Sequence, residues 1–327
     1  LQPMSTLEGI ELFVLRAQKQ RPEFCLTEEN RELIRKLVQS LDRLPLAIEL
    51  AAARMKMLSL DSLSKKLSQR FRLLQSKQRD TSSRHQTLRL AIEWSWDLLD
   101  PIEKWTLAQL SIFHDGFTLE AAEEVVTLDA FEDAPWHLDV LERLFEQSLV
   151  RRKTTLHDDT RFYLLTSIQH FAAEHFVRKD SVQTVDGTSL TGSEAYSNAV
   201  KRHGAYFAQF GTREAWLKIR TGEAGKRLGR ALKLEASNCL FAVRELRKLS
   251  QFDTGVQCLR AFNNIGGTQN LVEMKDYLVA DFLEVNEMRD ECKAYIYWLR
   301  GGALRNQGKW HEAVQWLERS LELSDPM

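Results

Sequence analysis

The sequence of 327 residues has few of the residues that interrupt helices. It contains 15 glycines and 6 prolines, which is little for a chain of many short strands and turns. It also lacks any apolar run of the roughly 18–20 residues that a membrane-spanning helix needs, and no signal peptide is visible. These absences predict a helix-rich, cytoplasmic protein that is long enough for two or three hydrophobic cores.

Metal-binding and nucleophilic signatures are missing as well. The four cysteines are scattered without a C-x-x-C pair, whereas metal sites and disulfide frameworks show close, regular spacing. His170 and His175 are five positions apart, roughly 140° around a helix, so they do not share one ligand face. With no Ser/His/Asp or Cys/His order either, we expect no metal site and no catalytic residue.

A further absence concerns nucleotide hydrolysis. A Walker A loop, G-x-x-x-x-G-K-[ST], holds phosphates with backbone N–H groups and a lysine, and no such run occurs in the sequence. No apolar strand ending in Asp precedes Pro45 to hold Mg²⁺. We therefore expect that this chain alone is not an enzyme and binds no cofactor.

The formal net charge of −1 conceals strong segregation. Residues 65–89 carry eight basic side chains and one acid, whereas residues 97–146 carry thirteen acids and two basic side chains. Such segments could hold domains together, steer a partner or be solvated faces, and the last is the default interpretation.

The most informative stretch is residues 41–54, LDRLPLAIELAAAR. Pro45 lacks a backbone N–H and has a φ suited to the first helical position, so a helix is expected to begin there and to continue through the apolar residues that follow. A buried helix with a proline start is the plain interpretation.

The same stretch resembles the GLPLA segment of STAND-type P-loop NTPases, the class of plant NB-ARC proteins and bacterial AfsR- and LuxR-type regulators. Similar blocks follow in that class's order over residues 1–178. They are residues 59–67, RFRLL at 70–74, RHQTL at 84–88, WSWDLL at 94–99, LSIF at 110–113, GF at 116–117, AAE at 121–123 and SLV at 148–150.

The resemblance implies a role for Pro45, since the proline of this segment lies against the nucleotide base in the family. It implies ATP or ADP with Mg²⁺ as the cofactor of a longer parent protein, of which this chain would be the C-terminal portion. Two positions depart from the pattern. The family glycine is Arg43 here, and the Met-His-Asp sensor of the plant proteins corresponds to Leu164-Leu165-Thr166, which has no histidine for a phosphate.

The order of helix signals predicts a mainly α chain. Residues 1–76 form a helical lid bundle: Ser5 and Glu8 make a capping box before a helix over residues 6–18, Thr27 caps a second helix, and the helix at Pro45 and one over residues 60–71 follow. Residues 75–84 read as a loop, which in the family is the joint between closed ADP-bound and open ATP-bound forms.

Residues 77–178 resemble a winged-helix domain with one β-hairpin. Asp100-Pro101 starts a helix that runs to Phe113, Thr118 caps the next, and Pro135 opens a third that ends at Glu146. The hairpin strands are predicted over residues 149–155 and 161–165. The third helix is acidic, which argues against DNA binding because recognition helices meet phosphates.

The remainder is expected to be helical. Residues 179–198 are polar and predict a linker or surface loop, and residues 199–293 are expected to begin an array of helical hairpins. Residues 294–327 match the 34-residue tetratricopeptide period. The matching positions are Tyr297, Gly301, Gly308, Trp310, Ala313, Leu317, Leu321 and Pro326.

The resulting hypothesis is the regulatory and sensor portion of a STAND signalling ATPase, active in transcriptional regulation or signalling. Its expected partners are the ATPase core of the same polypeptide, a protein or small-molecule inducer on the helical array, and a second copy on activation, with no membrane and no direct nucleic acid. A non-enzymatic helical-repeat scaffold for protein–protein interactions is the alternative, and a direct transcription factor would need a separate basic domain.

Overall fold

The structure is a computed structural model that describes residues 3–75, 83–154, 160–177, 182–183, 189–264 and 278–324. Over these ranges the protein is mainly helical, as predicted, and its strands form two short antiparallel pairs. Contacts divide the chain into two units: unit 1 comprises residues 1–111 and 127–190, and unit 2 comprises residues 112–126 and 191–327. Within the described ranges, the helices are too short or too polar to cross a bilayer.

The elements are, in chain order, α1 (Thr6–Gln20), α2 (Glu28–Ser40), α3 (Pro45–Ala53), α4 (Leu60–Gln75), α5 (Ser83–Asp97), α6 (Pro101–Leu110), α7 (Leu119–Val125), α8 (His137–Glu146), β1 (Arg151–Thr154), β2 (Thr160–Tyr163), α9 (Thr166–Val177), β3 (Val182–Gln183), β4 (Ser189–Leu190), α10 (Gly192–Ala208), α11 (Arg213–Arg220), α12 (Gly222–Lys233), α13 (Ala236–Lys248), α14 (Phe252–Asn264), α15 (Asp290–Asn306) and α16 (Trp310–Leu323). Short 3-10 turns cover Arg54–Lys56 and Gln209–Gly211. Residues 278–283 are also helical.

The predicted starts of the lid helices are confirmed. The Ser5 N–H donates to Glu8 at 2.8 Å and the Glu8 N–H donates to the Ser5 hydroxyl at 3.2 Å, which completes the capping box before α1. Thr27 caps α2 in the same way with Asn30. Helix α3 packs against α1 and α5, and its residues 46–53 are all buried. The predicted joint falls largely on residues 76–82, outside the described residues.

The second part of unit 1 contains α5, α6, α8, the β1–β2 pair and α9. Asp100 and Glu103 form the capping box of α6, which ends at Leu110 and not at Phe113. Helix α8 begins at His137 and not at Pro135, because Trp136, which precedes it, has an extended backbone. In the β-pair Arg151 lies opposite Tyr163 and Thr154 opposite Thr160.

Helix α7 belongs to unit 2, where it packs on α10 and its Val125 carbonyl accepts a 2.7 Å hydrogen bond from Arg202. The domain bounds given above follow the order of motifs and stay predictions. Inside the segment predicted as a linker, the structure has the β3–β4 pair and the start of α10. Helix α10 begins inside this segment because Thr191 forms a capping box, in which its N–H donates to the side chain of Glu194.

Unit 2 is centred on α10, α13 and α14, which pack on one another. Among the residues described, His203 of α10 is fully buried between the rings of Phe113, Phe207 and Phe241 at centroid distances of 5.1, 4.7 and 5.4 Å. Burial in this apolar environment lowers the pKa of His203 to about 3.

This depressed pKa predicts an acid-sensitive unit 2. Above pH 6.5 the imidazole is neutral in the folded and unfolded chains; between 6.5 and about 3 only the unfolded chain takes up the proton. The free energy of unfolding should therefore fall by about 2 kcal/mol between pH 7 and pH 5 on this account. Urea titrations at both pH values test it, and in His203→Gln this part of the pH dependence should disappear. An unchanged slope in that variant would contradict the burial argument.

Helices α15 and α16 form an antiparallel pair over the stretch predicted to be a repeat. Gly301 is required there, since an added Cβ would lie 2.7 Å from Leu317. Ala313 is buried, and the rings of Tyr297 and Trp316 are 5.1 Å apart. A helical hairpin is thus observed, and its assignment as a tetratricopeptide repeat stays a prediction. Pro326 lies outside the described residues.

Candidate functional site

The turn before α3 contains Arg43, the residue that stands where the resembled GLPLA segment has glycine. After α2, the Asp42 N–H donates to Gln39 and the Arg43 N–H donates to Val38, the two bonds of a Schellman ending. Asp42 and Arg43 both have positive φ, 51° and 57°. A glycine adopts this conformation without strain. Arg43 is exposed, so its side chain points away from the packed turn.

Pro45 is the first residue of α3 and is half-buried. Its position at the start of the helix is as predicted, while the contact with a nucleotide base stays a prediction. Glu49 and Ala53 follow Pro45 at four-residue spacing, so the three lie along one face of α3.

The stretch Leu164-Leu165-Thr166 lies at the end of β2 and the start of α9. Leu164 and Leu165 are half-buried and Thr166 is exposed. The position of the family sensor is therefore held by two apolar side chains and a hydroxyl. A phosphate near this turn would need its positive charge from other residues.

Positively charged side chains lie around Glu49. Its side chain is 8% exposed and accepts from Arg16 of α1 at 3.0 Å and from Arg151 of β1. The two arginine side chains are about one third exposed, 33% and 31%. One buried carboxylate thus joins the predicted lid to the predicted winged-helix part within unit 1.

A buried cation, Arg54, reinforces the same junction. Arg54 is 6% exposed and donates to the side chain of Gln147 at 2.9 Å and to the carbonyl of Ser95 at 3.3 Å. Gln147 in turn donates to Glu103 at 3.1 Å. Burial lowers the pKa of Arg54 to about 10, and the charge of Glu103 opposes that shift. Arg54 remains protonated at neutral pH.

Glu49 and its two arginine partners border a cleft of about 500 Å³ within unit 1. Its lining residues are Arg16, Lys19, Gln20, Glu49, Ala53, Phe145, Glu146, Ser148, Val150, Arg151, Arg152 and Tyr163. Four are basic and two are acidic, so the lining has a net charge of +2. At its rim Lys56 pairs with Glu146 at 2.6 Å, and Arg152 lies 4.9 Å from the centre of the Phe145 ring.

The cleft is chemically suited to an anion. Arg16 and Arg151 share one carboxylate, so each guanidinium keeps N–H donors for a second acceptor. Among the residues described, the cleft holds no group of three side chains able to bind a metal ion. The arrangement supports binding and positioning and offers no nucleophile activated by a base.

The sequence analysis missed this cluster. The sequence pattern indicates the helix start at Pro45 and the apolar helix that ends before Arg54, but it assigns no separate role to Glu49. The signal that could have found it is its place in an otherwise apolar helix, because a lone acid among buried residues requires cationic partners.

Comparisons with known proteins find relatives over part of the chain. A protein of Mycobacterium tuberculosis whose provisional name is HTH-type transcriptional regulator is 36% identical over 176 residues, 52% of this chain and 19% of that protein. A Mycobacterium bovis protein with the same kind of name matches equally well. Another M. tuberculosis protein, named only as uncharacterized, is 38% identical over 124 residues, 38% of this chain and 32% of that protein.

No family model matches the chain. The matched stretch is about one fifth of the length of the named regulators. The chain is therefore related over half its length to proteins named as transcriptional regulators, which supports a regulatory role at that level.

Proposed function

We propose that this chain is the regulatory and sensor portion of a STAND-type signalling ATPase. In this proposal the helical array binds an inducer or a partner protein, and the lid and winged-helix parts pass that event to an ATPase core elsewhere in the same polypeptide. The output would be transcriptional regulation in the cytoplasm.

The observation that carries the proposal is the Glu49 cluster. It links Arg16, in the predicted lid, to Arg151, in the predicted winged helix, through a carboxylate that is almost fully buried. Glu49 and Arg16 both belong to the predicted lid, so separating the two parts would leave Arg151 without its counter-ion, and the contact favours one closed arrangement. A ligand shifts such an equilibrium by its differential affinity for the closed and open forms.

The proposal assigns no hydrolysis to residues 1–327, because they contain no Walker A sequence. ATP or ADP with Mg²⁺ would be held by the core, with Pro45 against the base. The net positive cleft would add charge near the junction that the stretch Leu164-Leu165-Thr166 does not supply.

Nucleotide binding by the longer polypeptide tests this function. We expect ATP and ADP to bind the longer polypeptide and not to bind residues 1–327 alone. Pro45→Ala should weaken binding by about tenfold, since it removes a contact with the base that is worth about 1–1.5 kcal/mol. Isothermal titration of wild type, Pro45→Ala and the matched helix-start control Pro101→Ala gives the comparison.

Two results would overturn the proposal. If residues 1–327 bind nucleotide by themselves, the site lies in this chain and the role assigned to a separate core is wrong. If neither protein binds nucleotide, the non-enzymatic scaffold replaces the ATPase regulator.

A further inference from the structure

Helices α11 and α12 of unit 2 form a strongly basic pair, which we call the basic hairpin (residues 213–233). It carries seven basic side chains and two acidic ones, a net charge of +5 in 21 residues. The basic residues are Arg213, Lys218, Arg220, Lys226, Arg227, Arg230 and Lys233. All seven are exposed.

Most of this charge is uncompensated inside the chain. Lys218 pairs with Glu214 at 2.8 Å and Lys226 with Glu223 at 2.7 Å. Among the residues described, the other five basic side chains make no ion pair with a carboxylate. So many like charges close together repel one another, and the positive potential that they create attracts a polyanion.

The spacing of the charges follows a helix face. On α12, the uncompensated Arg227, Arg230 and Lys233 lie three positions apart, so neighbouring cations adjoin along the helix over a length of about 9 Å. One strand of duplex DNA places a phosphate every ~3.4 Å along the axis, so this length faces about three phosphates. The exposed side of α12 is therefore long enough to face a short run of phosphates on one strand.

Helix α11 contributes three further basic side chains, Arg213, Lys218 and Arg220, and packs against α12. Gly225 permits the contact, since an added Cβ would lie 2.1 Å from the Lys218 carbonyl oxygen. Trp216 is 39% exposed, and the Arg220 guanidinium stacks 4.2 Å from its ring centre, which orients that cation. Among the described residues of α11 none is fully buried, and the half-buried ones, Ala215 and Ile219, leave the basic side chains of the helix exposed to a partner.

We propose that the basic hairpin binds the phosphate backbone of double-stranded DNA, independently of base sequence. The expectation of no direct nucleic-acid contact was based on the acidic third helix of the winged-helix part. The basic hairpin is a different surface. The inference rests on the proposed function only in that a transcriptional regulator works beside DNA.

A membrane surface fits the hairpin less well. Interfacial helices insert a continuous apolar face, but Leu232 is buried and Leu228 half-buried against the protein. Trp216 and Leu217 alone project as large apolar groups, 39% and 49% exposed. Four of the seven basic residues are arginines, whose planar donor groups suit phosphate oxygens.

The test uses residues 1–327 and a fluorescently labelled duplex of about 25 base pairs, longer than two helical turns. Anisotropy titrations across a salt series give the slope of log K against log salt. Five phosphate contacts predict a slope of about −4.5, an affinity loss of about 500-fold between 50 and 200 mM salt. The variant Arg227→Gln/Arg230→Gln/Lys233→Gln should reduce the slope to about −2 and that loss to about tenfold.

The control variant is Arg31→Gln/Arg35→Gln/Lys36→Gln on α2, which removes the same residue types from another exposed helix and should keep the wild-type slope. Circular dichroism melting checks that both variants stay folded. The inference is overturned if the duplex does not bind, if both variants behave alike, or if anionic phosphatidylserine vesicles bind while DNA does not. Each of these results leaves nucleotide binding by the longer polypeptide untouched.

Discussion

Glu49→Gln is expected to lower the free energy of unfolding of the chain by about 2–3 kcal/mol. The substitution keeps the size of the side chain and removes its charge, so Arg16 and Arg151 then face each other across a neutral amide. Breaking a buried pair by removing one partner costs about 3–5 kcal/mol. The cost here is lower, because about one third of each arginine side chain still reaches water.

Urea denaturation followed by circular dichroism measures the effect. The matched control is Glu32→Gln on α2, which removes an acid paired with Arg35 at 2.7 Å but 54% exposed. That change should have a much smaller effect, because both partners are exposed and water screens their attraction. Equal effects of the two substitutions would show that Glu49 does not hold the junction together.

Asn238→Ala is expected to have the largest effect in unit 2, about 3–4 kcal/mol. Asn238 is fully buried; its carbonyl accepts from the His114 N–H at 2.7 Å, and its amide donates to the Gly116 carbonyl at 2.9 Å and to Glu235 at 2.7 Å. Alanine would leave these backbone groups buried without a partner, and each such group costs about 1–3 kcal/mol.

A second asparagine of unit 2 provides the comparison. Asn264 is half-buried and donates one hydrogen bond, to the Phe210 carbonyl at 3.0 Å. Asn264→Ala should cost about 1 kcal/mol, in line with a single bond. Urea titrations of both variants test the difference, and a small effect of Asn238→Ala would mean that water satisfies the freed groups.

The features that were predictable from the sequence are local ones. The capping boxes at Ser5 and Asp100 and the proline start at Pro45 depend on residues within one helical turn, so short patterns determine them. The start of α8 was misplaced by two residues because Pro135 is a plausible first position, whereas the structure extends the chain through Trp136.

The candidate site was not predictable in the same way. Glu49 and Arg151 are 102 positions apart, and Asn238 joins α13 to a turn 124 positions away. Neither partner carries a local signal for the other, so only the packing of the helices brings them together.

The charge pattern was partly informative. The basic segment at residues 65–89 was recognised, but the side chains of residues 68–85 lie outside the described part of the chain. The basic hairpin was not recognised because its charge is interspersed with alanine, glycine and leucine at helical spacing. Its helical arrangement places the charges on the exposed surface.

The most direct test of the central claim is the ratio of ADP to ATP affinity in the longer polypeptide, measured for wild type, Glu49→Gln and Glu32→Gln. If the Glu49 cluster favours the closed, ADP-bound form, Glu49→Gln should lower the ratio by about tenfold, a coupling of ordinary size. Glu32→Gln should leave it unchanged. An unchanged ratio in Glu49→Gln, in a protein that still binds both nucleotides, would contradict the account, because the lid and winged-helix junction would then not sense the nucleotide.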